Sequence, residues 1–191
     1  MSATKLAPPG AGLPGPELFI ARILFGIRRR RMDRAACSQL FRKERSTILE
    51  LATTCDPGIG ARPILIDRLR GIEDSSRCWS VYMTLDHLRI VNDVIALGIR
   101  TLGKGSVPGR VASTADVKPD PEAEASVISA FEKSCDLFER CVERVPDLKT
   151  AARYNHPWFG PLDAAGWHTL AAAHMAIHRK QIEKILAGAS H

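Results

Sequence analysis

Four stretches of 22 to 28 residues repeat apolar side chains at spacings of three and four, and nowhere does a bounded run alternate apolar with polar residues. That spacing gathers side chains onto one stripe of an α-helix, so each stretch has a face that must be buried against other helices. In residues 33–54 the stripe is Cys37, Phe41, Glu44, Ile48 and Leu51. In 75–102 it is Trp79, Met83, His87, Ile90 or Val91, Val94 and Leu97, with Asp74 or Ser75 as cap and Gly103 at the end. In 121–145 it is Ile128, Phe131, Cys135, Phe138, Val142 and Val145, behind the start signal Asp120-Pro121. In 164–186 it is Trp167, Leu170, His174, His178, Gln181 and Ile185, with Asp163 as N-cap. A shorter segment, 17–31, is apolar on almost every side and then basic. The best strand candidate, Ile64-Leu65-Ile66, stands alone. The expected class is all-α: a four-helix bundle with an extra short N-terminal helix.

A length of 191 residues, 45% hydrophobic and 25% charged, suits one globular domain. Residues 1–16 hold four prolines and three glycines without periodicity and read as a disordered tail, 17–31 as the extra helix and 32–191 as the bundle. The run Leu18 to Ile27, interrupted by Arg22, falls well short of the ~20 residues a bilayer span needs, so no transmembrane segment is expected. The basic cluster follows that run, the wrong order for a secretory signal. Five cysteines, an odd number with no Cys-x-x-Cys pair, read as reduced thiols in a cytoplasmic protein. Of the formal charge of +6, residues 28–34 (five Arg, one Asp) supply +4, leaving +2 for everything else. Charge so localised reads as a solvated helix end and not as a nucleic-acid groove, so no nucleic-acid partner is expected.

The connections are long: about 56–74, 103–120 and 146–163. Structureless segments of that length are usually functional or disordered. The middle one spans up to ~56 Å when extended, against ~42 Å for the helix before it, so it can return along the whole bundle and set the second and third bundle helices parallel.

Of the six histidines, His174 and His178 lie four apart, which stacks two imidazoles on one helix face within reach of a single ion. His87 is the other histidine on an inward stripe, and all three sit near mid-helix. Inward imidazoles at one height are what a metal site in a bundle core requires, and neutral imidazole suits Zn, Ni, Fe or Cu. The alternative is three separate core histidines, each satisfied by a local hydrogen bond. Cys78, about 180° round the helix from His87, is no candidate fourth ligand. His168 reads as a rim residue, His156 as loop packing, and Trp79, Trp158 and Trp167 as core and lid. Glu73 and Asp74 most simply serve the start of the helix that follows. Gly103-Lys-Gly105 is too short for a phosphate loop.

The segment Met83-Thr-Leu-Asp-His-Leu-Arg-Ile-Val-Asn92 resembles the second helix of DinB-like (DinB/YfiT-type) bundles. His156-Pro-Trp-Phe-Gly-Pro-Leu162, Trp167-His-x-Leu and His174-x-x-x-His178 resemble the loop and last helix of the same superfamily. Arg70-Gly-Ile-Glu-Asp-Ser-Ser-Arg-x-Trp-Ser-Val-Tyr-Met83 is similar to a DinB-like subfamily of unknown function. The resemblance covers roughly residues 32–187. It implies an up-down-down-up bundle and a divalent metal (Zn, Ni or Fe) held by His87, His174 and His178. Some members are thiol-dependent transferases or isomerases, which implies a small-molecule substrate and a low-molecular-weight thiol as partner.

Three functional readings follow. The first is a metal-dependent enzyme acting on a small molecule, transferring a thiol or hydrolysing a bond, because three protein ligands leave positions open. The second is a non-catalytic, stress-associated metal-binding bundle. The third is a nucleic-acid or acidic-membrane adaptor using Arg28 to Arg31. Glu44 is the candidate catalytic residue: an inward carboxylate needs compensation. That would come from the ring N–H of a metal-bound histidine, from acid–base work on a bound water, or from an arginine such as Arg70 or Arg77. Leu18 to Ile27 is expected to bury apolar surface against the bundle or against another subunit in a homodimer; an interfacial membrane helix is the runner-up.

Overall fold

A computed structural model describes residues 5–189. The helices are α1 (Gly15–Arg31), α2 (Arg34–Thr54), α3 (Pro57–Ala61), α4 (Val81–Gly103), α5 (Val127–Arg144) and α6 (Ala164–Ala189). Two short antiparallel strand pairs join them: β1 (Ile64–Leu65) with β2 (Cys78–Trp79), and β3 (Tyr154–His156) with β4 (Gly160–Leu162).

Helices α2, α4, α5 and α6 form the bundle, and their stripes meet in one core in which Phe41, Ile48, Leu85, Leu88, Phe131 and Ile182 are fully buried. Pairs of side chains give the helix directions. Asn92 donates to Ser134, and eleven residues further along both chains Gly103 lies against Val145, so α4 and α5 run parallel. Cys37 meets Thr169 and Glu44 meets Arg179, so α2 and α6 also run parallel. Arg42 reaches Glu139 and Glu143 while Arg45 reaches Asp136 and Glu132, so α2 and α5 are antiparallel. The order is therefore up-down-down-up, and the connection after α4 does run back along the bundle.

Several local expectations are corrected. Ile64-Leu65 is not a solitary strand: it pairs with Cys78-Trp79, which keeps those two residues extended and delays α4 to Val81. The α4 cap is accordingly Ser80, whose hydroxyl accepts from the Met83 N–H at 3.0 Å, and not Asp74 or Ser75. Asp120 accepts from the Glu122 N–H in a local turn, and α5 begins only at Val127. Asp163 does cap α6, accepting from the Gly166 N–H at 2.8 Å. In the segment read as a disordered tail, residues 1–4 lie outside the described residues, but the backbone beyond them is held: Ala7 N–H donates to Asp74 and Gly10 N–H to Glu73. Two carboxylates expected to serve a helix start instead tie the N-terminal segment down.

Helix α1 is the least embedded. Glu17 pairs with Arg68, Arg22 donates to the Trp158 carbonyl, and Arg29 pairs with Asp163. Phe25 is buried, with its ring 4.4 Å from that of Phe159. The expected burial of apolar surface against the bundle is met by Phe25, while Phe19, Ile20, Ile23, Leu24 and Ile27 stay exposed. A helix apolar all round has no single face to bury, and here polar anchors set its position. Arg28 donates to Met32 Sδ, and Arg30 and Arg31 are exposed at the helix C-terminus, where positive charge complements the dipole. Among the described residues no helix is long and apolar enough to cross a membrane.

Candidate metal centre

Two antiparallel neighbours, α4 and α6, bring His87 against His174 and His178. The Nε2 atoms of His87 and His178 lie 3.1 and 3.0 Å from that of His174. Among the described residues these three form a group whose potential ligand atoms all fall within 4.8 Å of one another. The i, i+4 spacing places two of them; the third arrives because the inward stripe of α4 crosses α6 at that height.

The partners of the other ring nitrogens decide what these three can bind. His87 Nδ1 is 2.6 Å from the Val117 carbonyl, which can only accept, so the proton is assigned to Nδ1 and Nε2 is a bare lone pair. Gln181 donates through its amide nitrogen to the Ser76 carbonyl, which turns its oxygen toward His178 Nδ1 at 2.7 Å. His178 therefore also carries its proton on Nδ1 and presents a bare Nε2. Both bare nitrogens face one His174 nitrogen, which has at most one proton to share. Burial holds His87 at about 4. Burial, and then the neighbouring histidines, push His174 and His178 well below the ordinary imidazole value. Three neutral rings, two of them with a bare Nε2 aimed at the third, form a donor set that could hold a divalent cation. The three histidines expected as ligands thus lie in one cluster and not at three separate core positions.

The surrounding groups hold the rings still. Trp79 packs on His87 with ring centroids 5.0 Å apart and stacks on His178 at 6.2 Å. Val117 belongs to the returning connection, and its neighbour Lys118 donates to Glu73, Ser75 and Ser76. Glu73 also accepts from Thr114 and from Gly10 N–H. Burial works to raise its carboxyl, but the hydrogen bonds from Lys118, Thr114 and Gly10 outweigh it and hold Glu73 below the ordinary carboxylate value. One buried carboxylate thus fastens the N-terminal segment, the turn before β2 and the connection that orients His87. Neither Val117 nor Ser76 could be found from sequence, because both act through backbone carbonyls. Gln181 was visible as a polar residue on an inward stripe. The three histidines line a cavity of about 800 Å³, so the donor set is reachable from outside.

Residues 30–182 match the family profile of the DinB superfamily. The chain belongs to the DinB superfamily. Its fold also resembles the crystal structure of TT2238, a four-helix bundle protein, with a TM-score of 0.58 and 21% identity over 78% of this chain and 97% of that one. No curated protein matches the sequence.

Elsewhere in this DinB bundle, Glu44 is buried as the stripe requires, but its carboxylate takes a hydrogen bond from Arg179 and it does not line the cavity. The assigned ring protons of His87 and His178 go to Val117 and Gln181, which leaves Glu44 no part in orienting those rings. Its compensating arginine is real, yet comes from α6 and not from Arg70 or Arg77. Glu44→Gln is expected to lower unfolding free energy by about 2 kcal/mol, the worth of a charged hydrogen bond, with metal content unchanged. Denaturant titration and metal analysis of the variant check both parts. His168 is not a rim residue: it is 1% exposed, within 3.3 Å of Ser38 and against Phe138, and burial holds it at about 4. His156 does pack in its loop, stacked on Phe159 with centroids 5.1 Å apart, and it lines the cavity too. Its Nδ1 accepts from the Trp158 N–H, so its proton sits on Nε2.

Proposed function

We propose that this DinB protein is a divalent-metal-dependent enzyme acting on a small molecule, of the thiol-transferase or hydrolase type. The observation that carries the reading is the pair of fixed tautomers: Val117 and Gln181 leave the Nε2 atoms of His87 and His178 bare and aimed at that of His174. Zinc, nickel and iron all suit the donor set. Such an ion supplies Lewis acidity, acidifying a water or thiol or polarising a carbonyl. The chain's own residues do the rest. The three histidines would hold the ion from one side, and the cavity supplies the room for a substrate on the other. The carbonyl and amide behind His87 and His178 fix ring orientation and raise ligand basicity. His156, held neutral by burial at about 4, carries its proton on Nε2 and lines the same cavity.

The test is metal analysis of the purified protein, followed by stripping, reloading and a screen for thiol transfer and ester or amide hydrolysis. The expected result is one ion per chain, and turnover that disappears on stripping and returns on reloading. Chelation that lowers the melting temperature while no turnover is found in either state would favour a metal-stabilised bundle without catalysis. Turnover that survives complete stripping would overturn the proposal.

A further inference from the structure

The stripe of α4 that carries His87 continues through Val91, Ile95 and Gly98, and all four residues line the cavity that the histidines share. From His87 to Gly98 is ~16 Å along the helix axis. The cavity is therefore a trench running well away from the histidines, and its walls are largely apolar. Ile20 and Leu24 of α1, Val94 and Leu97 of α4, and Val107 and Val111 of the returning connection line it while remaining 39–84% exposed. Val94 and Leu97, expected on the inward stripe, are instead exposed, and among the described residues nothing buries them. The charges in the wall are largely spent: Glu17 pairs with Arg68, Glu73 with Lys118, and Arg110 with Asp116. A concave apolar space of this size with a few convergent polar groups is the usual form of a small-molecule site. Exposed apolar side chains crowded round one opening point to something that covers them.

We propose that the substrate is a small molecule with an extended apolar body, an alkyl chain or an aromatic system, whose one polar end reaches the three histidines. The polar end rests on the reading of those histidines as a metal site; the apolar body rests on the cavity alone.

The test is calorimetric titration of the zinc-loaded and the metal-stripped protein with acetohydroxamic acid, decanohydroxamic acid and decanol. Burial of each methylene is worth about fourfold, so decanohydroxamic acid should bind the zinc-loaded protein at least ~100-fold more tightly than acetohydroxamic acid. Decanol should bind both forms of the protein. Gly98→Phe supplies the control: Gly98 lines the trench and a Cβ there meets only Tyr154 Cδ1, at 3.9 Å, so a large side chain at this position takes up trench volume. It should weaken decanohydroxamic acid at least ~10-fold and leave acetohydroxamic acid unchanged. Leu24→Asp, on a side chain already 61% exposed, should weaken the long ligand without disturbing the fold. Equal affinity for the short and long acids, with Gly98→Phe and Leu24→Asp without effect, would overturn the proposal. So would a dimer, seen by ultracentrifugation, that Leu24→Asp dissociates with no change in long-chain affinity, since the mouth would then belong to a second copy. Decanol binding zinc-loaded protein as tightly as decanohydroxamic acid would sink the metal reading while leaving the apolar cavity standing.

Discussion

His178→Ala is expected to abolish stoichiometric divalent-metal binding. The substitution removes one of three converging donors, and it also strands the Gln181 oxygen that now accepts from His178. Loss of an outer hydrogen-bond partner typically costs ~10–100-fold in metal affinity, so loss of a ligand should cost more than that. Gln181→Leu gives the graded comparison: it keeps all three imidazoles but frees the His178 tautomer, and should fall within that ~10–100-fold range. Competition titration with a chromogenic chelator reads both affinities. Thermal melts give a second measure, because a ligand at 100 times its Kd stabilises the folded state by about 2.7 kcal/mol. That gain should be present in the natural sequence, reduced in Gln181→Leu and absent in His178→Ala. Undiminished metal content in His178→Ala would show that the ion is held elsewhere.

The largest expected effect on stability comes from Glu73→Ala. Glu73 is 4% exposed and receives Lys118, Thr114, Ser75 and the Gly10 N–H. Removing it leaves the Lys118 ammonium without its ion-pair partner; breaking a fully buried pair costs about 3–5 kcal/mol, and with Lys118 21% exposed the loss should lie at or below the low end of that range. Metal affinity should fall as well, since the connection bearing Val117 loses its anchor and with it the acceptor of His87 Nδ1. Denaturant titrations should show the stability loss, and the chelator competition the weakened binding. There is a linked dependence on pH. Because its folded-state value lies below the ordinary 4.5, the Glu73 contribution is complete above that pH and is lost as acid titrates the carboxyl through its lower folded value. Stability of the natural chain should therefore fall more steeply than that of Glu73→Ala as the pH drops below about 4.5. Parallel pH profiles for the two would remove Glu73 from this role.

Much of the architecture was legible from the chain because helix periodicity is local. Stripes such as Phe131-Cys135-Phe138-Val142 announce a buried face without reference to any other segment, and the observed α5 buries those residues. The length of the connection after α4 was enough to permit a return along the bundle, and the Asn92–Ser134 and Gly103–Val145 pairs show that it happens. Helix starts were less legible, because a cap competes with non-local pairing. Asp74 and Ser75 have the chemistry of an N-cap, but the β1–β2 pair holds Cys78-Trp79 extended and gives the cap to Ser80. For α1, composition alone pointed to burial; ionic anchors at Glu17 and Arg29 fix the helix with most of its apolar surface exposed.

The histidine trio divides along the same line. The sequence by itself determined that His174 and His178 share a face and that His87 lies on an inward stripe, because both facts depend only on 3.6 residues per turn. Only the tertiary structure decided which nitrogens converge. Ring tautomers follow from acceptors far away in the chain, Val117 at 30 residues from His87 and the Ser76 carbonyl that turns Gln181 at 105 residues. The same holds for Glu44: periodicity turned it inward, while packing of α2 against α6 gave it to Arg179 and not to the histidines. A helical repeat fixes the face on which a side chain points, but its partner is set by chain segments brought together only on folding.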